Sequence, residues 1–231
     1  MEPDYPANSR LQVSNLGCLR GGRVLFRNRH IDLHGGTVLT LRGSNGSGKS
    51  TLLRTLAGLL PMRAGELRWC GRTLLPTAAP YQSQLAYLSH HPAMNDALTG
   101  IENLHYLLTL AGMPWQVERV REVLGALGVL QAAGLAFGKC SQGQRRRLGL
   151  ARVLLSGRQL WLLDEPDSAL DDLGLQWLAG ALTAHAARAG MAIVATHRDI
   201  PSLSGPVLDL SATADAVATA APNGEHGGSS C

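Results

Sequence analysis

Residues 43–51 read Gly-Ser-Asn-Gly-Ser-Gly-Lys-Ser-Thr, and this run limits the fold more than any other part of the chain. Gly43, Gly48, Lys49 and Ser50 fill the pattern G-x-x-x-x-G-K-[ST] of a phosphate-binding loop. Upstream, Thr37-Val-Leu-Thr-Leu41 alternates and favours a strand; downstream, Thr51-Leu-Leu-Arg-Thr-Leu-Ala57 favours a helix. Glycines between a strand and a helix let successive backbone N–H groups converge on a polyphosphate, with the positive end of the helix dipole aimed at the same oxygens. Gly43, Ser44, Asn45, Gly46, Ser47, Gly48, Lys49, Ser50 and Thr51 are therefore expected to line a nucleoside triphosphate. Lys49 would reach the β- and γ-phosphates, and Ser50 would ligate Mg²⁺. The chain holds only two lysines, Lys49 and Lys139, among 21 Lys and Arg. A compact ammonium suits a crowded cradle where a forked guanidinium does not.

At 231 residues, with 45% hydrophobic and 16% charged residues, the chain can bury a full α/β core and does not resemble a disordered polymer. The most apolar stretch, Val123 to Gly138, is 16 residues long and broken by four glycines and a glutamine, too short and too interrupted to span a bilayer. The opening Met1-Glu-Pro-Asp-Tyr5 has no basic and apolar leader, so a cytosolic chain is expected. Cys18, Cys70, Cys140 and Cys231 show no C-x-x-C spacing, which argues for reduced thiols over a disulfide or zinc framework.

Along the chain, residues 10–41 read as short strands and turns, and Gly65 to Gly71 and Leu85 to Leu88 as further strands. From about Thr99 to Leu155 the pattern turns helical. Ile101, Leu104, Leu107, Leu108 and Ala111 share one face there, and Val117, Val120, Leu124 and Leu127 another. Leu160-Trp-Leu-Leu163 and Ala192-Ile-Val-Ala-Thr196 are continuous apolar runs of the kind that fill a parallel sheet covered on both faces. The expected organisation is an N-terminal extension over 1–9 and an α/β domain over 10–210. A helical subdomain interrupts that domain at about 95–155. The last part, 211–231, is Ala/Gly/Ser/Thr-rich and reads as a disordered tail.

Asp164 follows four apolar residues, the arrangement of a carboxylate at a strand end that holds Mg²⁺. Glu165, next to it, can act as general base toward an attacking water. An acidic pair before Pro166 also starts helices well, but downstream of a phosphate loop the catalytic reading is preferred. In Cys140-Ser-Gln-Gly-Gln144, Ser141 and Gln144 make a capping box, and Gly143 allows close approach of a ligand to the backbone. Three arginines follow, Arg145 to Arg147, and are read as a solvated face or as ion-pair partners.

With these motifs in order, residues 10–200 resemble the nucleotide-binding domains of ABC ATPases, a P-loop NTPase fold with a helical subdomain inserted in the core. Cys140 to Gln144 resembles that family's signature, Ser168-Ala-Leu-Asp171 its D-loop and His197 its switch histidine. The resemblance implies ATP and Mg²⁺ as ligands, with Ser50 and Asp164 on the metal, and Lys49, Glu165 and His197 as catalytic residues. It also implies a second copy packed head to tail, so that Ser141, Gly143 and Gln144 close over the partner's nucleotide. Two positions depart from the family. His90 stands where a glutamine is usual, and Arg20 where an aromatic ring stacks on adenine; both are carried as nucleotide-binding candidates.

These departures, together with Gly43-Ser-Asn-Gly46, Leu98-Thr-Gly-Ile-Glu-Asn-Leu104, Gln144-Arg-Arg-Arg147 and Trp161-Leu-Leu-Asp-Glu-Pro166, resemble one branch, the ATP-binding subunit of the cytochrome c maturation, or haem export, system. That resemblance implies a peripheral ATPase on the cytoplasmic face of the inner membrane, partnered by the membrane subunits of the maturation complex. ATP turnover there would drive haem export or release of a haem-loaded carrier. An ATPase serving another transporter is the alternative. A soluble relative acting on nucleic acid or ribosomes is less favoured, because the net charge is only +4 and no coiled coil or second ATPase domain accompanies the motifs. Direct haem binding through His90, His91 or Cys18 is not expected, since no C-x-x-C-H run exists.

Arg20 in place of a stacking ring carries a consequence for specificity. With affinity drawn mainly from phosphates, GTP should compete with ATP within about tenfold, or about 1.4 kcal/mol. A competition titration giving a hundredfold preference for ATP would mean that another group reads the base.

Overall fold

A computed structural model describes residues 5–21, 23–201, 203–211 and 217–219. Two five-stranded sheets and six α-helices make up the described chain. The first sheet has the order β10-β2-β1-β4-β5, from β1 (Arg10–Arg20), β2 (Arg23–His34), β4 (Ala64–Trp69), β5 (Arg72–Leu74) and β10 (Val217–Thr219). It is antiparallel except where β10 runs parallel to β2. The second has the order β6-β7-β8-β3-β9 and is parallel throughout. It contains β3 (Val38–Arg42), β6 (Leu85–Leu88), β7 (Leu160–Asp164), β8 (Met191–Ala195) and β9 (Val207–Asp209).

The helices are α1 (Lys49–Leu56), the single turn α2 (Ala79–Gln82), α3 (Gly100–Leu110), α4 (Val117–Ala126), α5 (Gln142–Leu154) and α6 (Asp172–Ala187). The block α3 to α5 lies between β6 and β7 in the chain, where sequence periodicity turned helical. No helix among the described residues is long and apolar enough to cross a membrane.

The apolar runs of β7 and β8 are explained by two cores. Leu160, Leu162, Met191, Ile193 and Ala195 pack with Leu52, Leu53 and Leu56 of α1 and with Leu11, Ile31 and Leu67 of the antiparallel sheet. Trp161, Leu163, Ala192 and Val194 face the opposite way, onto Val123, Leu124, Leu150, Val153, Leu178 and Leu182 of the helices. Every residue of both strands is buried. With both faces covered, no polar alternation survives in the sequence.

Three features differ from the sequence expectation. The short strands expected over 10–41 are two long ones, β1 and β2, followed by β3. Asn15 (φ 54°) and Asn28 (φ 51°) take left-handed backbone within them, and the β1–β2 register shifts between Val13 and Leu16 and again near Cys18. Such bulges reset which face a side chain meets, so the alternation that marks a strand breaks without the strand ending. In α3 the inward face is Gly100, Asn103, Leu104 and Leu108, while Ile101 is exposed. Asn103 takes the inward place because its amide is satisfied: Nδ2 donates to the carbonyls of Asn95 at 2.9 Å and Thr99 at 3.0 Å, and Oδ1 accepts from the Asn95 N–H at 2.7 Å. As for the tail over 211–231, most of it lies outside the described residues; within it, Val217–Thr219 pairs with His30, Ile31 and Asp32.

His185 of α6 is fully buried. Its ring stacks on Trp161 at 3.7 Å and meets the edge of Tyr5 at 5.5 Å. Nε2 lies 3.0 Å from the Gln159 carbonyl and 3.3 Å from the Met191 carbonyl; both can only accept, so Nε2 carries the proton. Burial pushes the imidazole pKa down to about 4 from 6.5. A depressed folded-state pKa means that the unfolded chain takes up the proton first as pH falls below 6.5, so stability is full above that value and drains away toward pH 4. Between pH 7.5 and pH 5.0 this group should cost about 2 kcal/mol. Urea unfolding of the parent and of His185→Phe at both pH values checks it. The variant should lose about 2 kcal/mol less over the interval, and parallel pH profiles would remove His185 from the acid sensitivity.

Candidate functional site

The parallel sheet brings four loops to one edge. Leu41 pairs with Ala195, Ala195 with Asp164, and Leu163 with Leu88. The segments that follow these strand ends carry the phosphate loop, His197, Glu165 and His90 respectively. Ligands of open α/β sheets bind at this carboxyl edge.

The loop after β3 has the shape its sequence implies. Gly48 takes φ 107° at the entry to α1, and a Cβ there would meet the Phe26 ring at 2.9 Å, so both conformation and space call for glycine. Helix α1 has no side-chain cap and no acidic residue in its first turn. Its leading N–H groups are thus left for an anion. The Ser47 hydroxyl is buried without a hydrogen-bond partner. Lys49 is itself buried, with Nζ donating to the Gly43 carbonyl at 2.7 Å and the Ser44 carbonyl at 3.1 Å. Burial lowers its pKa, against the pull of Glu165, Asp164 and Asp209. Ser44 N–H also donates to Ser211 Oγ at 3.0 Å, so the segment after β9 lies beside the loop.

Ser50 Oγ donates to Asp164 Oδ1 at 2.9 Å. Burial raises the Asp164 carboxyl above its ordinary value, the Ser50 hydrogen bond opposes that, and the neighbouring charge of Glu165 adds to it. A buried carboxylate and a hydroxyl side by side are hard oxygen donors of the kind that suit Mg²⁺ together with phosphate. Among the described residues no cluster of three His, Cys, Asp or Glu could hold a metal alone.

Glu165 sits at φ 50°, a left-handed conformation that costs a non-glycine residue roughly 1–2 kcal/mol. Its N–H donates to the Ala195 carbonyl at 2.8 Å, and Oε1 lies 3.9 Å from His197 Nε2. These five residues, Lys49, Ser50, Asp164, Glu165 and His197, are gathered by the sheet edge.

The signature segment is built as its sequence implies. Gln144 N–H donates to Ser141 Oγ at 3.2 Å and Ser141 N–H to Gln144 Oε1 at 2.9 Å, closing the capping box of α5. None of the hydrogen bonds of Ser141, Gly143 or Gln144 among the described residues reaches 43–51. His90 Nδ1 is 2.9 Å from Arg146. Arg20 ends β1 opposite Arg23; its side chain lies outside the described part.

Of the two readings of the arginine run, ion-pair partner holds for Arg145, whose Nη1 lies 3.5 Å from Asp96 Oδ1, and the solvated face fails for Arg146. Arg146 is buried and donates to the carbonyls of Asp164 and Glu165. Arg145 donates to the Gly138 and Cys140 carbonyls, and Arg147 to that of Leu127. The signal was helical phase: Arg146 precedes the buried Leu150 and Val153 by four and seven residues, which puts it on the inward face.

Residues 26–168 match the ABC transporter family. The cytochrome c biogenesis ATP-binding export protein CcmA of Dechloromonas aromatica (strain RCB) is 41% identical over 200 residues, covering 87% of this chain and 98% of that protein. CcmA of Bordetella bronchiseptica (strain ATCC BAA-588 / NCTC 13252 / RB50) is 45% identical over 198 residues, covering 86% and 87%. The chain belongs to the ABC transporter family, among its cytochrome c biogenesis ATP-binding proteins. A solved structure of an ATP-binding subunit of an ABC transporter superposes with a TM-score of 0.75 at 20% identity, over 91% of this chain and 88% of that one. The fold is thus that of an ABC ATP-binding cassette, and the chain is an ABC-type ATPase.

In this ABC ATPase the glycine at 48 is open to test. Gly48→Ala forces a Cβ toward Phe26 and a backbone that alanine resists, a cost above about 1 kcal/mol. Affinity for a fluorescent ATP analogue should drop by about tenfold or more, while the thermal melt stays cooperative and falls by only about 2–8 °C. Parent-like affinity would show that the cradle does not depend on this backbone.

Proposed function

We propose that this chain is the ATP-hydrolysing subunit of a membrane complex for cytochrome c biogenesis, coupling ATP turnover to haem export or to release of a haem-loaded carrier. The observation that carries the chemistry is the convergence of Lys49, Ser50, Asp164, Glu165 and His197 on one sheet edge beside an uncapped helix N-terminus. The likeness to CcmA proteins, at 41% and 45% identity, supports the physiological assignment.

In this reading the loop amides and the α1 N-terminus bind the triphosphate, and Lys49 follows the β- and γ-phosphates from ground state to transition state. Ser50 and Asp164 would hold Mg²⁺, which supplies neutralisation of the charge building on the phosphate oxygens. Glu165 takes the proton of the attacking water, and we assign His197 to the γ-phosphate, next to that carboxylate. Ser141, Gly143 and Gln144 have no role within their own subunit's phosphate loop; we assign them to the nucleotide of a second copy packed head to tail. Arg20 and His90 remain assigned to the nucleotide's surroundings. The partners are the membrane subunits of the maturation complex, and the chain would sit peripherally on the cytoplasmic face of the inner membrane.

Glu165→Gln keeps shape and hydrogen bonding but removes basicity. ATP should still bind, while turnover falls by roughly two to four orders of magnitude. In the cell the same change should abolish covalent haem attachment to c-type cytochromes and spare b-type haem proteins. A haem stain of membrane and periplasmic fractions beside a b-haem spectrum reads both. Normal c-type cytochromes in a strain whose enzyme is inactive would sink the haem reading and leave a transporter ATPase of other purpose.

A further inference from the structure

Phosphate chemistry does not account for Arg146. It projects from the first turns of α5, is 8% exposed, and its guanidinium is spent entirely on neighbouring loops. Nε and Nη2 donate to the Glu165 carbonyl at 3.2 and 2.7 Å, and Nη2 also donates to the Asp164 carbonyl at 2.6 Å. Nη1 points the other way, 2.9 Å from His90 Nδ1 and 3.4 Å from the His90 carbonyl. Arginine only donates, so His90 Nδ1 accepts and the ring proton sits on Nε2. The loop carrying His90 is seated on the same helix. A Cβ at Gly149 would meet Pro92 at 2.6 Å, and only glycine lets the loop lie so close. One guanidinium therefore fastens α5, the turn after β6, and the peptide that carries Glu165 in its left-handed conformation.

We propose that Arg146 is a positioning residue for Glu165, and that His90 holds Arg146 in that role. Displacement of the 89–92 loop then reaches the carboxylate through the guanidinium. The inference rests on Glu165 being the general base. It requires the planar fork, since two donors on one carbonyl and a third contact on its neighbour exceed what a single ammonium can hold in one geometry. A plain packing role for Arg146 would weaken the fold whether residue 165 were Glu or Gln. A positioning role matters only while the base is present.

The test uses the assembled membrane complex, with steady-state ATPase for active variants and single-turnover hydrolysis for slow ones. Arg146→Lys should lower kcat by about tenfold or more while KM for ATP stays within roughly threefold, the signature of lost transition-state alignment. Added to Glu165→Gln, the same change should alter the residual rate by less than about twofold, because the base it aligns is gone. His90→Ala should lower kcat by roughly threefold or more, and His90→Gln, whose amide oxygen can still accept from the guanidinium, should restore most of it. A full multiplicative loss in the Glu165→Gln background, or a loss confined to KM, would overturn the proposal. Should Arg146→Lys fail to fold, the His90 pair decides, and equal rates for His90→Ala and His90→Gln would overturn it. Normal turnover in Glu165→Gln alone would instead refute the base assignment, and this inference with it.

Discussion

Parallel pairing of β3 with β8, β8 with β7 and β7 with β6 is the constraint from which the site follows. The pairs Leu41–Ala195, Asp164–Ala195 and Leu88–Leu163 align the strand ends, so the phosphate loop, His197, Glu165 and His90 leave the sheet at one level. A slip of one residue in any pair would move a loop by about 3.3 Å, enough to part Ser50 from Asp164. What prevents the slip is burial on both faces. Leu160 and Leu162 belong to one core and Trp161 and Leu163 to the other, so a shifted register would exchange the two sets and mispack both. Core packing thus sets the geometry of the proposed site through hydrogen-bond register.

The parts of the site that were legible in the sequence are those whose chemistry is written in contiguous residues. The phosphate loop is nearly complete within 43–51, and the capping box of Ser141 and Gln144 needs only a three-residue spacing. Asp164 and Glu165 were legible because a strand buried on both faces announces its own end. Arg146 was not, because Arg145, Arg146 and Arg147 are chemically identical and only the packing of α5 separates them. Helical phase with Leu150 and Val153 carried the distinction, but a run of charges reads as a solvated surface unless phase is weighed above composition. The long β1 and β2 were hidden for the opposite reason: register shifts and positive φ at Asn15 and Asn28 break the alternation that marks a strand without ending the strand. Ile101 misled because a lone apolar residue counts toward a face even when Asn103, with its amide satisfied, takes the inward place.

Both charged residues of the cradle are held away from their usual ionisation by burial. Lys49 is pushed down and Asp164 up, each disfavoured in its charged form by the same apolar walls that fix the sheet. The ammonium of Lys49 donates to two loop carbonyls and the carboxylate accepts from Ser50, which are neutral partners. Phosphate oxygens and a hard cation are charged ones, and charge-assisted bonds are roughly twice as strong as neutral ones. The exchange of partners therefore favours the nucleotide and, in the proposed assignment, would also favour Mg²⁺ at Ser50 and Asp164.

Glu165 answers a different requirement. Its backbone is fixed from several sides, by the Ala195 carbonyl on its N–H and by Arg146 and the Ser168 N–H on its carbonyl. Such over-determination is what allows a strained residue to persist. Its side chain is left 35% exposed, with His197 as its neighbour at 3.9 Å. A carboxylate locked by packing could be aimed but could not pass its proton on to solvent. One aimed by its peptide and left free at its tip can take a proton from water on one side and release it on the other, as the base role proposed for Glu165 requires.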